Sequence, residues 1–231
     1  MFTLGPPMRG GITDPLFGSV KFLLSPQSMP VGSVANDQSL AGLASTVNGG
    51  AAVSNTTPLF GGPTLIFPGA SDYFDYSFAP TGMNNNDFCI EAWVYLDSAD
   101  FSASQVICVN NVSGSSGYIF FYVEQTTGKL VLSGTGSATT AMPTGAWVHV
   151  AVTSQLSGNT KRYFINGVFD TSSNSATAAP VSLTMLRVGN AVSGSGGGRL
   201  KGKIGGLRLT IGSRRYADGG FTVPTTAFET A

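Results

Sequence analysis

The stretch Asp87-Phe-Cys-Ile-Glu-Ala-Trp-Val-Tyr-Leu96 decides the fold of this chain. Aromatic and β-branched residues fill it, which is the composition of a strand. Three later stretches read the same way: Gly145-Ala-Trp-Val-His-Val-Ala-Val-Thr153, Arg162-Tyr-Phe-Ile-Asn-Gly-Val168 and Gly202-Lys-Ile-Gly-Gly-Leu-Arg-Leu-Thr210. Between Trp147 and Thr153 the side chains alternate almost strictly. Val148, Val150 and Val152 face one way; Trp147, His149, Ala151 and Thr153 face the other. Asn166-Gly167 is a type I′ hairpin signal.

Working outward, the same pattern predicts strands at 19–24, 64–67, 72–77, 106–110, 118–124, 129–133, 168–171 and 183–188, with one or two weak strands in the small, polar stretch around 44–53. No segment sustains a helical period, and no repeat suggests a solenoid or propeller. Many short strands at close spacing, with 31 glycines and 12 prolines to turn them, predict an all-β antiparallel two-sheet jelly-roll sandwich. At 231 residues one domain suffices. Residues 1–18 read as an extended N-terminal arm, an anchor or a loose terminus, and 19–231 as the single domain. The tail, with Phe221 and Phe228, reads as an extended segment closing the sandwich.

Formal net charge is zero, which excludes whole-protein steering toward nucleic acid or an anionic membrane. The charge is unevenly placed: residues 22–128 hold acids and no Lys or Arg, and basic residues dominate 129–231. This is scattered surface charge or a pair of complementary patches. Near-zero net charge favours association. The N-terminus has no signal-peptide pattern and no apolar run reaches membrane length, so neither export by the general secretory route nor membrane insertion is expected. Cys89 and Cys108 fall on successive predicted strands. They read as small buried residues, with pairing left open because strand register is not fixed.

The order of these segments resembles the laminin-G-like branch of the concanavalin A-like lectin/glucanase superfamily. The match starts at Asp14-Pro-Leu-Phe-Gly-Ser-Val-Lys-Phe-Leu-Leu24, passes through Phe60–Phe67 and Ser71–Tyr76, and ends at Arg214-Arg-Tyr-Ala-Asp-Gly-Gly-Phe-Thr-Val-Pro-Thr225. The first and last motifs resemble those of such domains in bacterial viruses. The resemblance implies a non-enzymatic bacteriophage virion protein, a capsid decoration or tail- or fibre-associated subunit acting in assembly or host adhesion. It would sit in the virion, contact other virion proteins and form a homo-oligomer such as a trimer. A carbohydrate-binding lectin-like module on host-surface glycan is the alternative, and a glycoside hydrolase the remote one.

Hydrolysis needs two carboxylates held close together. The strand where the family's glucanases place theirs carries only Glu91, followed on its face by Trp93 and Tyr95, so Glu91 is expected to be structural. His149, the only histidine, lacks a nucleophile motif and reads as structural too. Tyr73, Tyr76, Tyr118 and Tyr122 are candidate sugar-stacking residues. No cofactor is expected; calcium is the one metal the resemblance raises, with Asp72, Asp75, Asn86 and Asp87 as oxygen donors. The run Asn84–Asp87 is equally a turn. Arg199, Lys201, Arg214 and Arg215 are candidates for contact with a protein partner.

Overall fold

The computed structural model describes residues 14–98, 102–110, 119–175, 184–191 and 198–230; Tyr118 lies outside them. Fifteen strands are formed: β1 (Val20–Leu24), β2 (Ser45–Asn48), β3 (Ala52–Leu59), β4 (Gly62–Ile66), β5 (Tyr73–Ser77), β6 (Phe88–Leu96), β7 (Gln105–Asn110), β8 (Ile119–Val123), β9 (Lys129–Leu132), β10 (Ser137–Ala141), β11 (Trp147–Gln155), β12 (Thr160–Ile165), β13 (Val168–Asn174), β14 (Met185–Val188) and β15 (Gly202–Ile211). Among the described residues, helix is confined to two 3-10 turns, Phe17–Ser19 and Pro26–Ser28. Among the described residues no helix is long and apolar enough to cross a membrane.

The strands form two antiparallel sheets. The first runs β13-β12-β11-β6-β15-β4-β3, with β1 also paired to β15; the second runs β10-β9-β8-β7-β14-β5-β2. Strand β6 lies at the centre of the first sheet, between β11 and β15. Its Phe88, Ile90, Ala92, Val94 and Leu96 enter the core between the sheets, where they meet Phe74 and Tyr76 of β5 and Phe121 and Val123 of β8. Burying each such side chain contributes roughly 1.5–3 kcal/mol, and this layer supplies most of the driving force.

The alternate residues of β6 (Cys89, Glu91, Trp93 and Tyr95) point to the opposite face. Solvent does not reach most of that face, because residues from 17–23 and from the 221–228 stretch lie on it. Phe17, Val20, Leu23, Leu59, Trp93 and Phe228 form a second apolar cluster there. The tail thus closes the sandwich as expected. Residues 14–18, the end of the stretch read from sequence as an extended arm, are seated on the first sheet, with Phe17 only 4% exposed. The turn at Asn166 and Gly167 has positive φ at both positions, 50° and 75°. That is the I′ geometry, and it presses against the tail: a Cβ on Gly167 would stand 2.1 Å from the Phe221 carbonyl oxygen.

Two strands differ from the sequence reading. β10, Ser-Ala-Thr-Thr-Ala, was not expected, and β3 continues beyond Val53 through polar residues to Leu59. Both are edge strands whose order comes from neighbours rather than from their own apolar pattern. Asp170 of β13 accepts bonds from the Thr139 and Thr140 amides and the Thr139 hydroxyl, tying the edges of the two sheets together.

The cysteines are successive in sequence but not in space. Cys89 is on β6 of the first sheet and Cys108 on β7 of the second, and both are free and buried. Burial raises both thiol pKa values, which suppresses the reactive thiolate. Ellman's reagent should therefore read no thiol in the native protein and two after denaturation; rapid native labelling would contradict this placement.

Candidate functional site

Glu91 is wholly buried at the middle of β6. Arg208, directly opposite on β15, donates from Nε to Glu91 Oε1 at 2.8 Å. His149 Nε2 lies 3.1 Å from Oε2, and the Tyr216 hydroxyl donates to the same oxygen. A carboxylate only accepts, so the imidazole proton sits on Nε2. Arg208 Nη1 continues to Asp14 Oδ2 at 3.2 Å, and Arg215 grips both Asp14 oxygens at 3.1 and 2.8 Å. Two carboxylates and two guanidiniums therefore balance under the strapped termini. Trp93, Tyr216, Phe221 and Phe228 set ring edges around His149, with Tyr216 and Phe221 stacked at 3.4 Å.

This cluster is built to hold rather than to react. Burial alone would raise the Glu91 pKa. Burial is the largest single effect, but the Arg208 charge, the His149 hydrogen bond and charge and the Arg208 hydrogen bond together outweigh it, and the pKa falls from 4.5 to about 2. Such a carboxylate cannot donate a proton at neutral pH, and among the described residues no second carboxylate faces it across an open cleft. A depressed folded pKa contributes stability above the unfolded value that disappears as pH falls through the folded one. The contribution here is on the order of 3 kcal/mol. The melting-temperature gap between wild type and Glu91→Gln should therefore shrink between about pH 5 and pH 2; a constant gap would count against this role.

The calcium candidates are not brought together. Asp72 is buried and accepts from the Gly50 amide at 2.8 Å and the Gly69 amide. Asp75 pairs with Arg187. Asn86 Nδ2 donates to the Gly82 carbonyl, and Asp87 accepts from the Leu156 amide. Among the described residues no three His, Cys, Asp or Glu side chains are placed to share a metal.

The four basic candidates also separate. Arg215 turns inward to Asp14, which corrects its reading as a contact residue. Arg214 pairs with Asp218 near the Phe88 end of β6. Arg199 and Lys201 lie beside Gly202, which faces Leu96 at the other end. Nine strand residues, about 30 Å, divide them.

Of the tyrosines, Tyr76 is a core residue, 1% exposed, donating its hydroxyl to the Ala35 carbonyl, and is removed as a sugar-stacking residue. Tyr73 and Tyr122 do share one surface, the outward face of the second sheet. Thr46, Asp75, Arg187, Val109 and Phe120 stand in register across β2, β5, β14, β7 and β8. Arg187 holds Asp75 with two bonds of 2.8 Å, and its guanidinium lies 3.5 Å over the Tyr73 ring. Phe120 and Tyr122 stack at 4.1 Å beyond it. Beside this polar fork lies a depression of ≈ 300 Å³ lined by Thr46, Asp75, Ser77, Thr184 and Met185. Sequence reasoning missed Arg187. The alternation of Met185 and Arg187 against Leu186 and Val188 was the available signal, but its partner Asp75 is 112 residues away.

Comparison with known proteins agrees with this architecture. A family model described as the concanavalin A-like lectin/glucanases superfamily matches residues 68–213. No curated protein sequence matches. Among solved structures, domain 4 of AbnA, a GH43 extracellular arabinanase from Geobacillus stearothermophilus, in complex with arabinotriose, superposes with a TM-score of 0.61 at 14% identity, over 88% of this chain and 94% of that one. The binding domain of Paraclostridial Mosquitocidal Protein 1 gives 0.57 at 13% identity, over 85% of this chain and 48% of that one. Trypanosoma rangeli sialidase in complex with sialic acid gives 0.56 at 15% identity, over 84% and 31%. The chain thus spans about half of the toxin domain and a third of the sialidase, and at these identities the likeness is one of fold. The family match covers well over half the chain and spans the four strand stretches that decided the fold: the chain belongs to the concanavalin A-like lectin/glucanases superfamily, in its laminin-G-like branch.

Proposed function

We propose that this chain is a non-enzymatic adhesion module that binds glycan on the outward face of the second sheet. The Arg187–Asp75 fork carries the reading: a planar set of donors and acceptors fixed by its own ion pair, flanked by Tyr73 on one side and the Phe120–Tyr122 stack on the other. Three strand spacings, about 14 Å, separate β5 from β8; Val109 and Phe120 in that span are buried, so the groups open to a sugar are Tyr73, the Arg187–Asp75 pair and Tyr122. Sugar sites combine apolar ring faces with a few fixed polar groups in this manner. The arabinotriose-bound relative supports the reading at the level of fold. The enclosure of Glu91 supports the absence of hydrolysis.

A glycan array tests it. Binding to at least one glycan, weakened about tenfold or more by Arg187→Ala, is expected; no binding on a broad array removes the reading. No metal enters it, so chelator should leave both the melting temperature and the array profile unchanged.

A second reading, a subunit of a bacteriophage particle, is favoured by one observation. The two terminal motifs that resemble those of bacterial viruses interlock, Asp14 of the first holding Arg215 of the last. In that setting the module serves assembly or host attachment alongside other virion proteins, as a homo-oligomer such as a trimer. Co-purification with a phage particle tests it, and a chromosomal locus lacking any capsid or tail gene would contradict it.

A further inference from the structure

We propose that the outward face of the first sheet carries a second binding site, for a sugar bearing a carboxylate. Trp147, Tyr95, Lys203 and Ile66 stand in one register row across β11, β6, β15 and β4. The first two are partly exposed rings, 5.6 Å apart edge to face. Trp147 is pinned by its Nε1 bond to the Pro58 carbonyl at 3.2 Å, so the pair forms a fixed apolar platform. Lys203 stands next to it, its ammonium 5.0 Å from the centre of the Tyr95 ring and paired with Asp97.

Beyond Lys203 the surface drops into a depression of ≈ 420 Å³ whose lining includes Ile66, Pro68, Asp97, Arg199, Gly202 and Lys203. Arg199 Nη1 donates to the Phe67 and Pro68 carbonyls, both at 2.9 Å. Those bonds anchor the guanidinium and use two of its five N–H donors, leaving three. The lining holds two cations against one carboxylate, so one positive charge lacks a counter-charge among the described residues. Gly202, also in the lining, packs too close to β6 for a side chain: a Cβ there would stand 2.0 Å from the Tyr95 carbonyl oxygen.

The ligand chemistry follows from the adjacency. A pyranose lays its flat C–H face on Tyr95 and Trp147 while its carboxylate reaches Lys203 and the Arg199 fork, the side chain suited to carboxylate geometry. A neutral sugar would leave the surplus positive charge of the lining uncompensated. Hexuronate polymers and sialylated glycans both present this chemistry. The site does not depend on the Arg187 face, which lies on the other sheet.

The test is calorimetric titration of the whole chain with trigalacturonate and with 3′-sialyllactose, each beside its neutral counterpart, galactotriose or lactose. At least one acidic sugar should bind, at least about tenfold tighter than its counterpart. Which of the two binds identifies the source. The double variant Lys203→Met and Arg199→Gln should lose about tenfold or more, and Lys21→Met, which removes an exposed cation of β1, should bind as wild type does. Thermal melts of the variants confirm folding. No binding of either acid at millimolar concentration overturns the proposal. So does equal binding of the neutral sugars, or an equal loss caused by Lys21→Met.

Discussion

Arg208→Met should lower the unfolding free energy by about 3–5 kcal/mol, the largest effect of any single polar substitution in this chain. Arg208 is 7% exposed, bonds Glu91 and Asp14 together, and lies 4.2 Å over the Phe228 ring. Methionine keeps much of the apolar stem but removes the charge. Glu91 is then a buried anion whose nearest cation, Arg215, stands at 3.7 Å. The penalty is that of an uncompensated buried charge rather than of one lost bond. The double variant Glu91→Gln with Arg208→Met should therefore recover part of the loss. Urea unfolding followed by tryptophan fluorescence reads both, since Trp93 borders the cluster. A loss below about 1 kcal/mol for the single variant would mean that the network is solvated and adds little.

Removing the tail should have an effect of similar size through different chemistry. Deletion of residues 221–231 takes away Phe221, stacked on Tyr216, and Phe228, 6% exposed between Phe17 and Trp93. Truncation of one buried phenylalanine to alanine typically costs 3–5 kcal/mol, so the deletion should cost about 4 kcal/mol or more. It also uncovers the outward apolar cluster of the first sheet, and a contiguous patch of that kind promotes association. The expected result is a lower melting temperature with concentration-dependent light scattering. Phe228→Ala alone should show the first change with less of the second. If the deleted chain melts like the intact one, the tail does not close the fold.

These two experiments probe contacts that the sequence made visible in unequal measure. The inward strands were legible because Ile90, Ala92 and Val94, and Val148, Val150 and Val152, alternate within a few residues. The closing role of Phe221 and Phe228 was legible from their spacing around Pro224. That Glu91 is structural was legible as well, since no second acid shares its face. Its partners were not: Asp14 and Arg215 meet across 201 residues, and local pattern carries no such pairing. The same limit hid Arg187 opposite Asp75. Tyr76 was misread because an aromatic residue on a strand looks alike from either face until register is set. Edge strand β10 was invisible because its order derives from Asp170 of a neighbouring strand. Fold follows from periodicity within segments, whereas both candidate faces depend on which segments become neighbours.

The central claim, that this chain binds glycan on one sheet face while its buried carboxylate only holds the termini down, has a direct test. Amide chemical shifts are mapped while a glycan identified on the array is titrated in, and the glycan is then recovered. Perturbations centred on Tyr73, Asp75, Tyr122 and Arg187, with the oligosaccharide recovered intact, are the predicted result. Perturbations centred on Glu91, His149 and Tyr216, with cleaved sugar in the recovered sample, would contradict it.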